Sequence, residues 1–264
     1  MGRGMEQLKT KNGRRLILSL WALAALVAAT PSEAVDGVFE INQTCATQTG
    51  CFPLDAPGLP VEISQPGSYR LTGNLATLNK GTTAILIAAD DVHLDLNGFT
   101  IACSFSTPAP AGCTAASGQG IGVAADNVFS RERATVRSGT IRDMGSHGVQ
   151  LGRGTLVENV RIHDNGGIGI SLGDNSGGTS EFGGRFSIIR GNSIASNGSA
   201  GAFVPNASLI VDNVIESNAG PGLFSLGQTE TAYRDNVIRL QSTNVSGIAF
   251  RDLGGNYCGG PPCP

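Results

Sequence analysis

The 264-residue chain carries 18 Lys and Arg against 21 Asp and Glu, with 38 glycines, one tryptophan and only 5% aromatic residues. A formal net charge of −3 argues against a nucleic-acid partner, because phosphate binding draws its affinity from a positive surface. So many glycines would suit a flexible low-complexity tract, but a long-period recurrence of apolar residues excludes that reading.

At the start, Lys9, Lys11, Arg14 and Arg15 precede an apolar run from Leu16 to Ala29. Pro31-Ser32-Glu33-Ala34 follows, with small residues suited to a cut after Ala34. This is the pattern of a secretory signal peptide over residues 1–34, and the run of about 14 apolar residues is short of the about 20 that a membrane helix needs. The mature chain is expected to be exported, to the periplasm or outside the cell, with no membrane span. Removing Arg3, Lys9, Lys11, Arg14, Arg15, Glu6 and Glu33 leaves 13 of 18 basic and 19 of 21 acidic residues, a net charge of about −6.

The cysteines fall beyond the cut in three close pairs, Cys45/Cys51, Cys103/Cys113 and Cys258/Cys263. An even count in local pairs on an exported chain reads as three disulfides, each pinning a short loop without joining distant coils. A zinc site needs tighter ligand clustering, and His93, His147 and His163 stand away from every cysteine in sequence. No metal and no cofactor are expected.

Residues 35–60 read as an N-terminal cap, and from residue 61 one pattern repeats. Isoleucine recurs as Ile101, Ile141, Ile162, Ile194, Ile215 and Ile238, and five residues before each stand Leu96, Val136, Val157, Ile189, Ile210 and Tyr233. Eight residues after four of them come Val149, Ile170, Ala202 and Leu223, and the last round reads as shifting this strand to Ile248 and Phe250. An uninterrupted round takes 21 residues, as from Val136 to Val157, which suits three short strands and three turns. Apolar and polar positions alternate within a strand, as in Gly-Ile-Gly-Ile-Ser-Leu at 167–172, so one face is buried. A leucine-rich horseshoe would need Leu-x-x-Leu-x-Leu and helical segments, and both are missing. The chain is therefore expected to wind into about seven coils, each stacked about 4.8 Å from the last.

Two asparagine columns support the winding. Asn165, Asn197 and Asn218 lie three residues after the isoleucine, and Asn192, Asn213 and Asn236 two before it. Stacked amides can hydrogen-bond along the axis as ladders. Gly148, Gly169, Gly201 and Gly222 lie seven residues after the isoleucine, where a tight turn is expected to need positive φ.

With stretches such as Ala-Asp-Asp-Val-His-Leu-Asp-Leu-Asn-Gly-Phe-Thr-Ile at 89–101, the repeat resembles the pectate-lyase-like right-handed parallel β-helix superfamily, over about residues 61–257. Within it the chain is most similar to exported bacterial right-handed β-helix repeat proteins of no assigned activity. The resemblance implies an all-β, single-stranded right-handed solenoid over 61–253, closed by a C-terminal cap at 254–264. It is nearly silent on activity, since the superfamily includes lyases, hydrolases, esterases, epimerases and non-enzymes.

Three insertions, 102–119, 125–134 and 173–184, interrupt the round; the second and third leave one edge with Arg153 between them and could wall a shallow groove, though tolerated drift in loop length explains them equally well. The densest ionisable cluster spans two coils, with Arg142, Asp143 and His147, then Arg161, His163 and Asp164. Asp143 and Asp164 share one column, so their separation should approach the about 5–5.5 Å of retaining glycosidases, where one carboxyl would be pushed toward the acid form. A turn aspartate bonded to its own backbone explains the same pattern. Asp90-Asp91, Ser146-His147-Gly148 and Arg161-Ile162-His163 resemble fragments of polygalacturonases, but that pattern has Gly before the histidine and Lys after Arg-Ile, and Asp90-Asp91 lies far upstream, so no role is carried over.

The outward column of the Gly-Ile strand reads Gly122, Gln150, Ser171, Phe203, Phe224 and Ala249, with no carboxylate or cation for acid–base work. Phe203 and Phe224 could form a small apolar contact or pack beneath an inserted loop. The first functional reading is a non-catalytic, monomeric binding or structural module at the envelope or outside the cell, with a polysaccharide or envelope component as partner and Arg142, Arg153, Phe203 and Phe224 as contacts. The second is a polysaccharide hydrolase or lyase using Asp143, Asp164, His147, His163 and Arg161.

Overall fold

A computed structural model describes residues 37–113, 118–173, 185–204, 206–227, 229–247, 249–260 and 263. Residues 1–34, expected to be a signal peptide, and Ile248 lie outside these residues. The described chain winds as a parallel β-helix, and every strand pairing within it is parallel. One sheet stacks eight strands, from Val61–Ile63 through Ile170–Leu172 to Val245–Gly247.

The other sheet, of fourteen strands, has two limbs. The leading limb runs from Val38–Ile41 to Phe250–Asp252, and the trailing limb from Leu75–Ala76 to Val237–Arg239. They fuse where the eight-residue strands Thr135–Arg142 and Leu156–His163 pass through both.

The core is built from rows of side chains along the axis. Ile101, Ile141, Ile162, Ile194, Ile215 and Ile238 lie opposite one another in sequence, extended upstream by Leu75, and all are fully buried. Burying each such side chain contributes about 1.5–3 kcal/mol. The row on the leading limb is Tyr69, Leu94, Val136, Val157, Ile189, Ile210 and Tyr233.

Leu94, not Leu96, stands opposite Val136, because the path from this row to the isoleucine row is two residues longer in that coil. Asn97 and Gly98, both at positive φ, form the extra turn, and Leu96 is buried over Gly139. The last round also departs from the expected shift. Val245 lies opposite Leu223 in the eight-stranded sheet, and Phe250 sits in the leading limb opposite Thr231, its ring edge-on to Tyr233. In the outward column, Ala124 therefore replaces Gly122 opposite Gln150, and Ser246 replaces Ala249 opposite Phe224.

From Thr135 to Leu240, each of the two bends flanking the trailing limb turns on one left-handed residue. Ser138, Asn159, Gly191, Asp212 and Asp235 occupy the bend between the limbs, and Asp143, Asp164, Ser196, Ser217 and Leu240 the bend after the trailing limb. For a non-glycine residue this conformation costs about 1–2 kcal/mol, which Asn and Asp tolerate best. The buried amides beside the bends offset it. Asn192 Nδ2 donates to Asn213 Oδ1, Asn213 to Asn236 and Asn236 to Asn256, each at 3.0 Å. Asn165, Asn197, Asn218 and Gln241 form the second ladder.

The glycine column has a different cause from the one expected. Gly148, Gly169, Gly201 and Gly222 do not adopt positive φ; instead a Cβ at each would lie 2.5–2.6 Å from the Cγ2 of the isoleucine one coil on.

All three disulfides form as paired in sequence, Cys45–Cys51, Cys103–Cys113 and Cys258–Cys263, with Cα separations of 4.7, 5.6 and 5.4 Å. Each closes a short loop, as expected, and at both ends of the solenoid the bridge also meets the core. Cys51 and Cys263 are partly buried and pack against the hydrophobic core, which Cys258 itself joins. Those two bridges therefore seat the caps on the core, because a short loop closed by sulfur offers its apolar atoms to the open end of the stack.

Candidate functional site

The cluster singled out from sequence sits where the long strands Thr135–Arg142 and Leu156–His163 leave the trailing limb. His163 lies opposite Arg142, so the left-handed Asp143 and Asp164 follow one coil apart, as the column requires. Each carboxylate, however, turns to its own neighbour. Asp143 accepts from the Arg142 guanidinium, and Asp164 Oδ2 lies 2.7 Å from His163 Nδ1. Both aspartates keep access to solvent.

Arg161 projects outward between Thr140 and Ser193, and its guanidinium has no hydrogen-bonding or ionic partner among the described residues. His147 leaves the group altogether. Its Nδ1 accepts the Ile168 amide hydrogen at 2.9 Å, and burial pushes its imidazole pKa below the ordinary value. It is a neutral strut between coils, since a protonated ring could not accept that bond.

The binding candidates separate as well. Arg153 pairs with Glu132, whose carboxyl it holds below the usual range, in a corner network where Arg133 also bonds Asp91 and Glu132 at 2.6 and 2.7 Å. Of the two insertions that could wall a groove there, the third lies almost wholly outside the described residues. The second borders an open recess of about 380 Å³ beside Asp126, Phe129 and Gln150. Phe203 is only 1% exposed and packs on Ile168, Ala200 and Phe224, with ring centroids 5.7 Å apart. It is a packing residue, which removes it as a contact platform.

Of the cysteine bridges, Cys103–Cys113 borders one of the recesses described here, through Cys113. Cys45, Cys51, Cys258 and Cys263 hold the ends of the solenoid and line none of the surface recesses described here.

Two features arise only in the folded chain. A groove of about 470 Å³ crosses five stacked strands of the leading limb, with Ser68, His93 and Thr135 along one side and Arg70, Asp95, Arg137 and Glu158 along the other. The charged row alternates from Glu40 through Arg70, Asp95, Arg137 and Glu158 to Arg190, in ion pairs of 2.9, 2.8 and 2.5 Å. Its downstream half, Arg137, Glu158 and Arg190, stands in one column of successive coils. The upstream half is hidden because Asp95 and Arg137 stand 42 positions apart in sequence.

The second feature is a smaller cavity, about 180 Å³, between the Cys103–Cys113 loop and the Arg142–Asp143 pair. No group of three His, Cys, Asp or Glu residues able to hold a metal is found among the described residues. Nor is any helix there long and apolar enough to cross a membrane.

Compared with known families, residues 61–238 match the family described as right handed beta helix region. The chain belongs to that family. Neither curated proteins nor solved structures give a match. Membership of the β-helix family accounts for the coil, the core rows and the parallel sheets, and leaves the activity to be argued from the surface.

Proposed function

We propose that this β-helix is exported and acts as a non-catalytic binding module, at the cell envelope or outside the cell, for an extended hydroxyl-rich polymer such as a polysaccharide. The observation that carries the reading is the groove on the leading limb. It runs along the solenoid axis, so the about 4.8 Å coil repeat sets donors and acceptors at regular intervals beside a linear chain. Ion pairing fixes Arg70, Asp95, Arg137 and Glu158 in place before a ligand arrives, which lowers the ordering cost of binding. Three disulfides suit an oxidising compartment. Against cleavage stands the division of the acid–base candidates: Asp143 with Arg142, Asp164 with His163, and His147 engaged with a backbone amide.

The test is to incubate the purified protein with a panel of polysaccharides, scoring retention by affinity electrophoresis and cleavage by reducing-end and unsaturated-uronate assays. Retention without products is expected, with retention weakened when Arg137 and Glu158 are both replaced by alanine. Product formation abolished by Asp164→Ala would replace this reading with that of a polysaccharide-active enzyme. Failure to retain any polymer would overturn it outright.

A further inference from the structure

We propose that the cavity beside the Cys103–Cys113 loop is a second binding site, shaped for one neutral sugar ring. The proposal rests on reading the protein as a binder of hydroxyl-rich ligands and adds a separate subsite with its own selectivity. Its volume of about 180 Å³ lies below the about 300–1,000 Å³ that takes a drug-sized molecule, so it accommodates a single ring.

The lining is rich in hydrogen-bonding groups. Ser106 and Thr107 bring hydroxyls that donate and accept, Arg142 brings N–H donors, and Asp143 brings acceptor oxygens. Adjacent hydroxyls on a ring each donate and accept, so a guanidinium beside a carboxylate satisfies such a pair in both directions. Because Arg142 and Asp143 neutralise one another, a ligand carboxylate would gain no net attraction and would meet the Asp143 charge. A cationic ligand would meet Arg142. A neutral polyol meets neither penalty.

The site is also held in shape. The disulfide closes the loop, and Cys113 itself lines the cavity. The Arg142 guanidinium carbon lies 5.4 Å from the Phe105 ring centroid, a cation–π contact that fixes the arm on one side while Asp143 fixes it on the other. Asp143 stands at the left-handed bend, so its backbone direction is set by the coil. The groove and the cavity share the strand Thr135–Arg142 but use different ends of it, Arg137 in one and Arg142 in the other.

The test is saturation-transfer NMR and calorimetry on the full protein with methyl hexopyranosides, methyl hexuronates and neutral oligosaccharides. Transfer to neutral methyl glycosides is expected, with affinity at least tenfold above that for the hexuronates, and a further tenfold loss in Asp143→Asn. Thr107→Val and Ser106→Ala, on an exposed loop where folding is not at stake, should each lower affinity several-fold. Replacing Cys103 and Cys113 together by serine, which leaves the two cap disulfides intact, should abolish ring binding. Equal binding of free glycosides and oligosaccharides supports the site with a free sugar as ligand; binding of oligosaccharides alone supports it with a chain end as ligand.

Uronates binding as well as neutral rings, no transfer to any neutral ring or chain end, or unchanged affinity in Asp143→Asn and Thr107→Val would overturn the proposal. Polymer retention that survives those variants but is lost with Arg137 and Glu158 would leave the groove reading intact while this one fails. Ring binding without polymer retention would do the reverse.

Discussion

Asn213 offers the sharpest test of what keeps the coils in register. Its Oδ1 accepts from the backbone N–H and the Nδ2 of Asn192, both at 3.0 Å. Its Nδ2 donates to Ile189 O and Val211 O at 2.9 Å and to Asn236 Oδ1 at 3.0 Å. In Asn213→Leu, the Asn192 amide hydrogen loses its acceptor in a site 2% exposed, whereas Asn192 Nδ2 keeps Val157 O and Asn236 Oδ1 keeps the backbone N–H of residue 213.

One orphaned buried donor costs about 1–3 kcal/mol, and the weakening of the shared bonds adds about 1 kcal/mol, for a total of about 2–4 kcal/mol. In a chain of this size that lowers Tm by about 5–15 °C. Asn213→Asp keeps the acceptor but turns a carboxylate oxygen toward three other acceptors, which raises its folded pKa above the unfolded value of about 3.9. That variant should therefore be most stable in acid and lose stability as pH rises through the folded pKa. Thermal and guanidinium unfolding by circular dichroism measure both effects, and amide exchange at Asn192 gives a local readout where a solenoid unfolds in parts. A Leu variant within about 0.5 kcal/mol of the parent, with Asn192 still protected, would refute the ladder argument.

Gly169→Ala forces a Cβ to within 2.6 Å of Ile194 Cγ2 and 2.7 Å of Gly201 O, so a loss of about 1–3 kcal/mol is expected in chemical unfolding. Gly73→Ala, with only Asn42 Cβ at 3.7 Å, should leave stability within about 0.5 kcal/mol, and equal stability of the two variants would show that close coil approach is not what the column serves. His147 is neutral in the fold with its pKa lowered from 6.5 by burial, so the unfolded chain takes up the proton first. Stability is then lost as pH falls below about 6.5, and His147→Asn, which keeps an acceptor for the Ile168 amide, should flatten that loss in Tm measured from neutral to mildly acid pH. Identical profiles for the two proteins would contradict it.

Much of the coil was readable because its signal repeats. A period of 21 residues returns Ile141, Ile162, Ile194 and Ile215 to one buried row wherever insertions are discounted, and the asparagine columns follow from the same count. The count failed where a turn lengthened the path within a coil. Asn97 and Gly98 displaced Leu96 from the row that Leu94 fills, and one residue fewer in the last round brought Val245 opposite Leu223. Cysteine spacing named the bridges, but that Cys51 and Cys263 reach the core depends on how each cap folds back over the end coil. The candidate site was legible as a neighbourhood, since Arg142 and His163 are indeed paired, but not as a set of contacts. His147 turned to a backbone amide and Phe203 into a small second core, and neither choice leaves a trace in spacing.

By itself the sequence determined the winding: apolar side chains at a constant interval can all leave water only if successive rounds stack, and the parallel sheets follow from that. The tertiary structure alone decided what the surface presents. A long arginine or a left-handed aspartate has several partners within reach, and which one it takes depends on neighbours from other coils and on the loop that closes over them. Those neighbours are brought together by the fold across tens of residues, as Arg137 and Asp95 are across 42, so no local pattern along the chain encodes the pairing.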